Sequence, residues 1–249
     1  MRNHLQQSDD DIRSAVAERY GLVATAPQQS FNFPVGRHFA ESVGYDAGLL
    51  DRLPRSLTES FTGAGNPQPF VDAQPGEVLL DLGCGAGLDL YLYAQMVGNH
   101  GRLFGLDLAA PMLEKARMNL ATVGVENIEW LLASADRIPL PDGSVDIVTA
   151  NGIYNLSPDK DAVMREVARV LKPGGRTVFA EVVLTAELPT EARRDMNDWF
   201  RCIGGALVAE EFLARLERHG LKPQILQQGR NARTGHKLAV CVVIQARKV

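Results

Sequence analysis

Short apolar runs alternate with stretches in which apolar residues recur at helical spacing along most of the chain. The runs predict strands at 78–82, 102–107, 128–132, 145–150, 177–184 and 238–244. The helical spacing predicts helices at 88–97, 111–122 and 209–219, and a further one that begins at Ser157-Pro158 and ends before Lys172-Pro173-Gly174-Gly175. Alternating strands and helices predict an α/β fold with a doubly wound, mostly parallel sheet.

Two segments lie outside this alternation. Residues 1–76 are predicted to form an N-terminal cap or lid, with a short helix at 10–20 followed by an aromatic cluster of Phe31, Phe33, Phe39 and His38. The cluster either closes over a crevice or packs as a cap without ligand contact. The core is predicted at 77–249, with a late insertion at about 186–208 that flanks the same crevice.

Composition narrows the classes of function. The chain has 249 residues, 45% hydrophobic and 22% charged, with a net charge of −4, which argues against a nucleic-acid partner. No apolar run approaches the roughly 20 residues that span a bilayer, and Met1–Asp11 lacks the apolar core of a signal peptide. Three cysteines, Cys84, Cys202 and Cys241, provide no disulfide framework. A cytoplasmic protein is therefore predicted, with no membrane partner.

The most informative motif of the chain, a glycine-rich turn next to an acid, follows the first predicted strand. Asp81 ends an apolar run, and Gly83, Gly85 and Gly87 follow at alternating positions before a helix. The spacing Gly-x-Gly-x-Gly differs from the Gly-x-Gly-x-x-Gly of a dinucleotide pyrophosphate site. A glycine turn next to an acid, which can bond an amine or a bridging water, suits a cofactor without phosphates and with an amino-acid tail. We therefore predict S-adenosylmethionine.

Other strand ends should face the same crevice, because ligands of open α/β sheets lie beyond the carboxyl ends of the strands. Asp107 ends the second strand, where an acid takes ribose hydroxyls, although it could equally cap the helix that begins near Pro111. The predicted cofactor-binding residues are Asp81, Gly83, Cys84, Gly85, Gly87, Asp107, Leu108, Met112, Ser134, Ala135, Asp136 and Asn151.

The core is similar to class I S-adenosylmethionine-dependent methyltransferases, and most of the chain resembles the arsenite methyltransferase family. This resemblance implies a Rossmann-like class I methyltransferase fold. The matching stretches occur in the family's order and cover roughly residues 15–225. They are Glu18-Arg-Tyr-Gly21, Ser42-Val-Gly-Tyr45, Gly63-Ala-Gly-Asn-Pro67, Asn155-Leu-Ser-Pro-Asp-Lys160, Arg169-Val-Leu-Lys-Pro-Gly-Gly175 and Cys202-Ile-Gly-Gly-Ala206.

Two cysteines of the family are absent here. Ala64 and Gly152 stand at their positions, and only Cys202 is kept. Trivalent arsenic is a soft centre that selects thiolates, so one cysteine cannot form the multidentate thiol site that the resemblance implies. Cys84, in the turn, and Cys241, within a strand, are predicted to be packing residues. The pattern favours another acceptor over arsenite, and no metal site is predicted.

The predicted function is methyl transfer from S-adenosylmethionine to a small-molecule acceptor. Alternatives are arsenite or methylarsenite methylation by Cys202 with external thiols, and a non-catalytic cofactor-binding or interaction module. In-line transfer depends mainly on positioning, and a base is needed only where the acceptor must lose a proton. Cys202, Tyr154, His38, Glu181 and His236 are the candidates near the expected crevice. None is assigned as the catalytic base, and the oligomeric state stays open.

Overall fold

The architecture comes from a computed structural model that describes residues 8–189, 193, 195–230 and 232–249. Within these residues one sheet contains seven strands in the order β3-β2-β1-β4-β5-β7-β6. The strands are β1 (Val78–Leu82), β2 (Arg102–Asp107), β3 (Ile128–Leu132), β4 (Val145–Asn151), β5 (Leu171–Leu184), β6 (Leu221–Arg230) and β7 (Ala239–Lys248).

Strands β1 to β5 run parallel, and β7 pairs antiparallel with both β5 and β6. The doubly wound, mostly parallel sheet is thus confirmed, including the six strands predicted from the apolar runs. Strand β6 was missed because it is an edge strand whose side chains are mostly exposed, so it lacks an apolar run. Strand β5 starts six residues earlier than predicted and contains Lys172–Gly175, which the sequence assigned to a helix stop.

Helices cover both faces of the sheet. They are α1 (Asp9–Thr25), α2 (Arg37–Ser42), α3 (Ala47–Leu50), α4 (Arg55–Thr58), α5 (Leu88–Val97), α6 (Ala110–Thr122), α7 (Lys160–Val170), α8 (Met196–Phe200) and α9 (Ala209–Arg218). Apolar side chains of α5 and α6 pack on one face with Leu79 and Ile147. Those of α7 and α9 pack on the other face with Leu80 and Val148.

Two helix starts differ from the expectation. Helix α7 is capped by Asp159, whose Oδ1 accepts a hydrogen bond from the Ala162 amide at 2.9 Å, and not by Ser157. Helix α1 begins at Asp9, where Ser8 and Asp11 form a reciprocal capping box, and it continues past the predicted end to Thr25. No helix within the described residues has the length and apolar character needed to cross a membrane.

The predicted aromatic cluster divides into two. Phe31 and Phe33 stack at 5.5 Å between ring centroids, and Phe33 also stacks on Tyr20 of α1. Phe39 packs instead against Phe61, at 5.8 Å between centroids, in a separate cluster beside α5. The insertion at 186–208 is described except for residues 190–192 and 194, and it contains α8.

Candidate active site

A crevice lies at the carboxyl ends of the central strands, where the sequence predicted it. Its floor is the turn between β1 and α5, and its walls come from the segments after β2, β3 and β4. One face of α1 and the 57–63 segment close it from the opposite side. The lining includes Gly83, Cys84, Gly85, Asp107, Leu108, Met112, Ser134, Ala135 and Asn151 from the predicted set.

The three glycines of the turn differ in what surrounds them. A Cβ at Gly83 would lie 2.0 Å from Cδ1 of Ile153, so side chains pack against the turn there. A Cβ at Gly85 would meet no atom within 4 Å, although its φ of +53° favours glycine. Gly87 packs on Leu120 of α6 and does not line the crevice. Gly85 is therefore the position where backbone faces open space.

Asp107 joins the turn to the start of α6. Its Oδ2 accepts a hydrogen bond from the Gly85 amide at 3.0 Å, and its Oδ1 accepts one from the Ala109 amide at 2.9 Å. Burial raises the pKa of this carboxyl to about 6, against the backbone bonds that lower it. Asp107 is not the N-cap of α6, because that position is Ala109 and has no side-chain capping bond, but it does line the crevice. A buried carboxylate beside an open glycine turn fits a ribose and a linker without phosphates.

Asp81 does not line the crevice. It is buried under the turn and accepts a hydrogen bond from Thr149 Oγ1 at 2.7 Å. Burial and the charge of Asp89 raise its pKa well above the usual range. Asp89, on the first turn of α5, lines the crevice in its place and accepts bonds from Tyr45 Oη at 2.6 Å and Asn151 Nδ2 at 3.2 Å. Sequence reasoning missed Asp89, although its position just after the third glycine was available as a signal.

Asp136 is covered by α1. Arg13 Nε donates to Asp136 Oδ2 at 3.0 Å, and Arg13 itself lines the crevice while Asp136 does not. Asp136 Oδ1 is buried and has no hydrogen-bond partner within the described part of the chain. The predicted contact of Asp136 with a cofactor would therefore be shared with, or screened by, an arginine that sequence reasoning did not select.

At the other end of the crevice, Asn151 clamps the 63–65 segment onto β4. Its Oδ1 accepts from the Ala64 amide at 2.7 Å and the Gly65 amide at 3.1 Å, and its Nδ2 donates to the Gly65 carbonyl at 3.0 Å. The packing is close, since a Cβ at Gly63 would lie 2.5 Å from Asn151 Nδ2. Asn151 is thus a structural clamp that also lines the crevice.

The three positions that hold cysteines in the resembled family meet at this end. A Cβ at Gly152 would lie 3.4 Å from Ala64 Cβ, and Cys202 Sγ lies 3.7 Å from the Gly152 carbonyl oxygen. Cys202 is fully buried, does not line the crevice, and has its pKa raised to about 11 by burial. Ala64 and Gly152 leave no open space at this end, because the 63–65 segment packs directly against Gly152.

The other candidates for a base lie away from the crevice. The ring of Tyr154 is fully buried against Phe179 and Phe212, and burial raises its pKa above 10. Glu181 is buried, and its Oε1 accepts a hydrogen bond from Asn155 Nδ2 at 2.9 Å. Burial raises the pKa of this carboxyl to about 7. The side chain of His38 is 99% exposed on α2.

His236 is exposed in the turn before β7 and accepts from the Leu238 amide. The placement of His38 and His236 is a correction, because both residues are exposed. On α2 the side chain that packs inward is that of Phe39, next to His38. Within the described residues no cluster of three or more His, Cys, Asp or Glu side chains could hold a metal ion.

Comparisons with known proteins agree with this geometry. A family model described as "Methyltransferase domain" matches residues 73–234. An arsenite methyltransferase of Halobacterium salinarum is 35% identical over 86% of this chain and 58% of its own length, and the human arsenite methyltransferase is 31% identical over 85% and 55%. The chain thus spans little more than half the length of these relatives.

Among solved structures, an arsenic(III) S-adenosylmethionine methyltransferase from Chlamydomonas reinhardtii superposes with a TM-score of 0.65 and 28% identity. That match covers 85% of this chain and 72% of the other. The sheet order, the crevice at the strand ends and the match over 73–234 lead to one conclusion: the chain belongs to the methyltransferase-domain family.

Proposed function

We propose that this protein transfers the methyl group of S-adenosylmethionine to a small organic acceptor. The observation that carries the proposal is the open turn at Gly85 next to the buried Asp107 carboxylate, inside a concave crevice at the carboxyl ends of the strands. Gly83, Cys84, Leu108, Met112, Ser134 and Ala135 complete the cofactor end, with Asp89 added from the structure.

The chain's own contribution is binding, orientation and exclusion of water. S-adenosylmethionine, when bound, supplies an electrophilic methyl on a sulfonium. Asp107 and the Gly85 turn hold its nucleoside part, and Val16, Ile153 and Leu156 give the rest of the crevice apolar walls. Apolar walls exclude water and favour an acceptor that is itself partly apolar.

Arsenite methylation is the second candidate, because relatives bear that name. The geometry argues against it. Cys202 is a buried thiol with a raised pKa, and Ala64 and Gly152 provide no thiolate beside it. A soft arsenic centre would have to take its remaining ligands from external thiols.

Calorimetry with S-adenosylhomocysteine, followed by labelled-methyl assays, tests these functions. We expect binding, turnover with at least one of a panel of phenols, amines and carbon acids, and little methylation of arsenite in excess thiol. Binding without any turnover would favour a non-catalytic module. Robust methylated arsenic would restore the second candidate.

The remaining assignments are part of the same proposal. We take residues 1–76 as a cap and residues 77–249 as the methyltransferase core. We place the protein in the cytoplasm, on the support of its three cysteines without a disulfide framework. We expect no nucleic-acid partner, on the support of its net charge of −4.

A further inference from the structure

Helix α1 lies across the crevice and presents one face to it. Arg13, Val16, Ala17 and Tyr20 line the crevice, and their spacing puts them on a single side of the helix. Arg13 is at the end near Ser134 and Ala135, and Tyr20 is at the end near Gly63. One helix therefore covers both the cofactor end of the crevice and the opposite end at Gly63 and Asn151, which we take as the acceptor end.

The two halves of α1 are held very differently. The C-terminal half is tied to three other segments: Ser60 Oγ donates to the Val23 carbonyl at 2.9 Å, Lys115 Nζ to the Ala24 carbonyl at 3.1 Å, and Tyr20 Oη to the Phe200 carbonyl at 3.3 Å. Gly21, Val23 and Ala24 are also buried. This half forms a fixed base.

The N-terminal half has one long-range polar tie among the described residues, the pair between Arg13 and Asp136. The side chain of Asp136 is 3% exposed and that of Arg13 is 19% exposed. The other bonds of residues 8–16 are local, within the capping box or from Arg13 to Asp10 at 2.9 Å. Ile12 and Val16 also pack in an apolar cluster with Leu108 and Leu156, which line the crevice. Among the described residues the ion pair is therefore the long-range polar contact that holds these two turns of helix over the crevice.

We propose that the N-terminal half of α1 is a lid over the cofactor end of the crevice and that Arg13 latches it by binding Asp136, so that the cofactor enters before the lid closes. The proposal rests on the proposed cofactor. Asp136 follows Ser134 and Ala135 of the crevice wall directly, so a ligand there alters the loop that carries the latch. Tyr20 belongs to the fixed half, so the wall that it provides at the other end of the crevice stays in place whether the latch is open or closed. Arg13 is thus a positioning residue, and closure excludes water from the cofactor end.

The test uses the dissociation rate of S-adenosylhomocysteine, measured by stopped-flow fluorescence or surface plasmon resonance. In Arg13→Met the buried Asp136 loses its partner, and we expect dissociation to accelerate by about tenfold or more. Arg13→Lys keeps the charge but not the two-nitrogen contact and should fall in between. Asp10→Asn is the matched control, because it breaks only the exposed bond of Arg13 and should leave the rate within about twofold of the original.

Hydrogen exchange provides a second readout that does not depend on the variants. S-adenosylhomocysteine should slow exchange in residues 9–17 of the unmodified protein together with the Gly83–Gly87 turn. Protection of the turn without protection of 9–17, or an unchanged dissociation rate in folded Arg13→Met, would overturn the lid while leaving the cofactor proposal intact. Absence of protection at both places would instead overturn the proposed function.

Discussion

The two ends of the crevice differ in how closely the backbone around them is packed. At the cofactor end, backbone faces empty space: the turn at Gly85 has no atom within 4 Å of where a Cβ would be. At the acceptor end, backbone is packed against backbone and side chain, with the 63–65 segment clamped to Asn151 and in contact with Gly152. The first end is preorganised for a ligand of fixed shape, whereas the second has closed over the positions of two missing thiols.

The difference fits the proposed function, in which the scaffold keeps the cofactor and takes another acceptor. Room for a nucleoside comes from the open backbone at Gly85, and Asp107 is already hydrogen-bonded to the Gly85 amide before a ligand binds. A thiolate site depends on side chains, and once Ala64 and Gly152 replace them the neighbouring segment fills the space. The contrast can be tested one residue at a time, starting with the change expected to have the largest effect.

Gly85→Val should abolish binding of S-adenosylhomocysteine. The branched side chain would extend into the crevice, and a φ of +53° is unfavourable for a β-branched residue. Isothermal calorimetry at millimolar ligand measures the loss. Gly143→Val is the matched control, since Gly143 has a φ of +59°, equally open surroundings and a place in a turn outside the crevice. If both variants bind S-adenosylhomocysteine as tightly as the original protein, the glycine turn only connects β1 to α5.

Asp107→Asn should weaken cofactor affinity by roughly 1–3 kcal/mol, because in the proposed site the carboxylate accepts hydrogen bonds from ribose hydroxyls and an amide offers only one accepting oxygen. Calorimetry measures the affinity of this variant and of a control, Arg102→Gln, which alters an exposed ion pair of the same strand. An unchanged dissociation constant would remove Asp107 from the cofactor site.

The same variant has a pH signature. Since the folded pKa of Asp107 is raised to about 6, its protonated form stabilises the folded state. That contribution is complete below the pKa of about 4 of an unfolded aspartate and is lost as pH rises through about 6. Urea unfolding at pH 4.5 and 7.5 should therefore show Asp107→Asn gaining stability relative to the original chain at the higher pH. A difference independent of pH would contradict the raised pKa.

Sequence patterns predicted the strands and the turn because both depend on local order. An apolar run marks a buried strand, and Asp107 ends such a run whatever contacts the strand makes with distant parts of the chain. Asp89 and Arg13 could not be found in this way, because their importance comes from contacts with residues 62 and 123 positions away in the chain. His38 shows that a local pattern can also mislead. Its aromatic neighbours in the sequence suggested a cluster, but on α2 the side chain of Phe39 is buried and that of His38 is exposed.

Asn151→Ala should affect the acceptor end more than the cofactor end. It removes the clamp on Ala64 and Gly65, and the unpaired backbone groups should lower the free energy of unfolding by about 1–3 kcal/mol. Affinity for S-adenosylhomocysteine should change less than in Asp107→Asn. Urea unfolding and calorimetry on the same samples compare the two effects. A larger loss of affinity than in Asp107→Asn would show that the ends are not independent.

Cys202→Ala should have the smallest effect on cofactor affinity, because the thiol is buried behind Gly152 and does not line the crevice. Its thiolate is the reactive form, and a pKa of about 11 leaves roughly one thiol in a thousand ionised at pH 8. Iodoacetamide should therefore leave Cys202 unmodified in the native protein and modify it in urea, as peptide mass mapping would show. Rapid native labelling would mean that the acceptor end opens, and a soft ligand could then reach this cysteine after all.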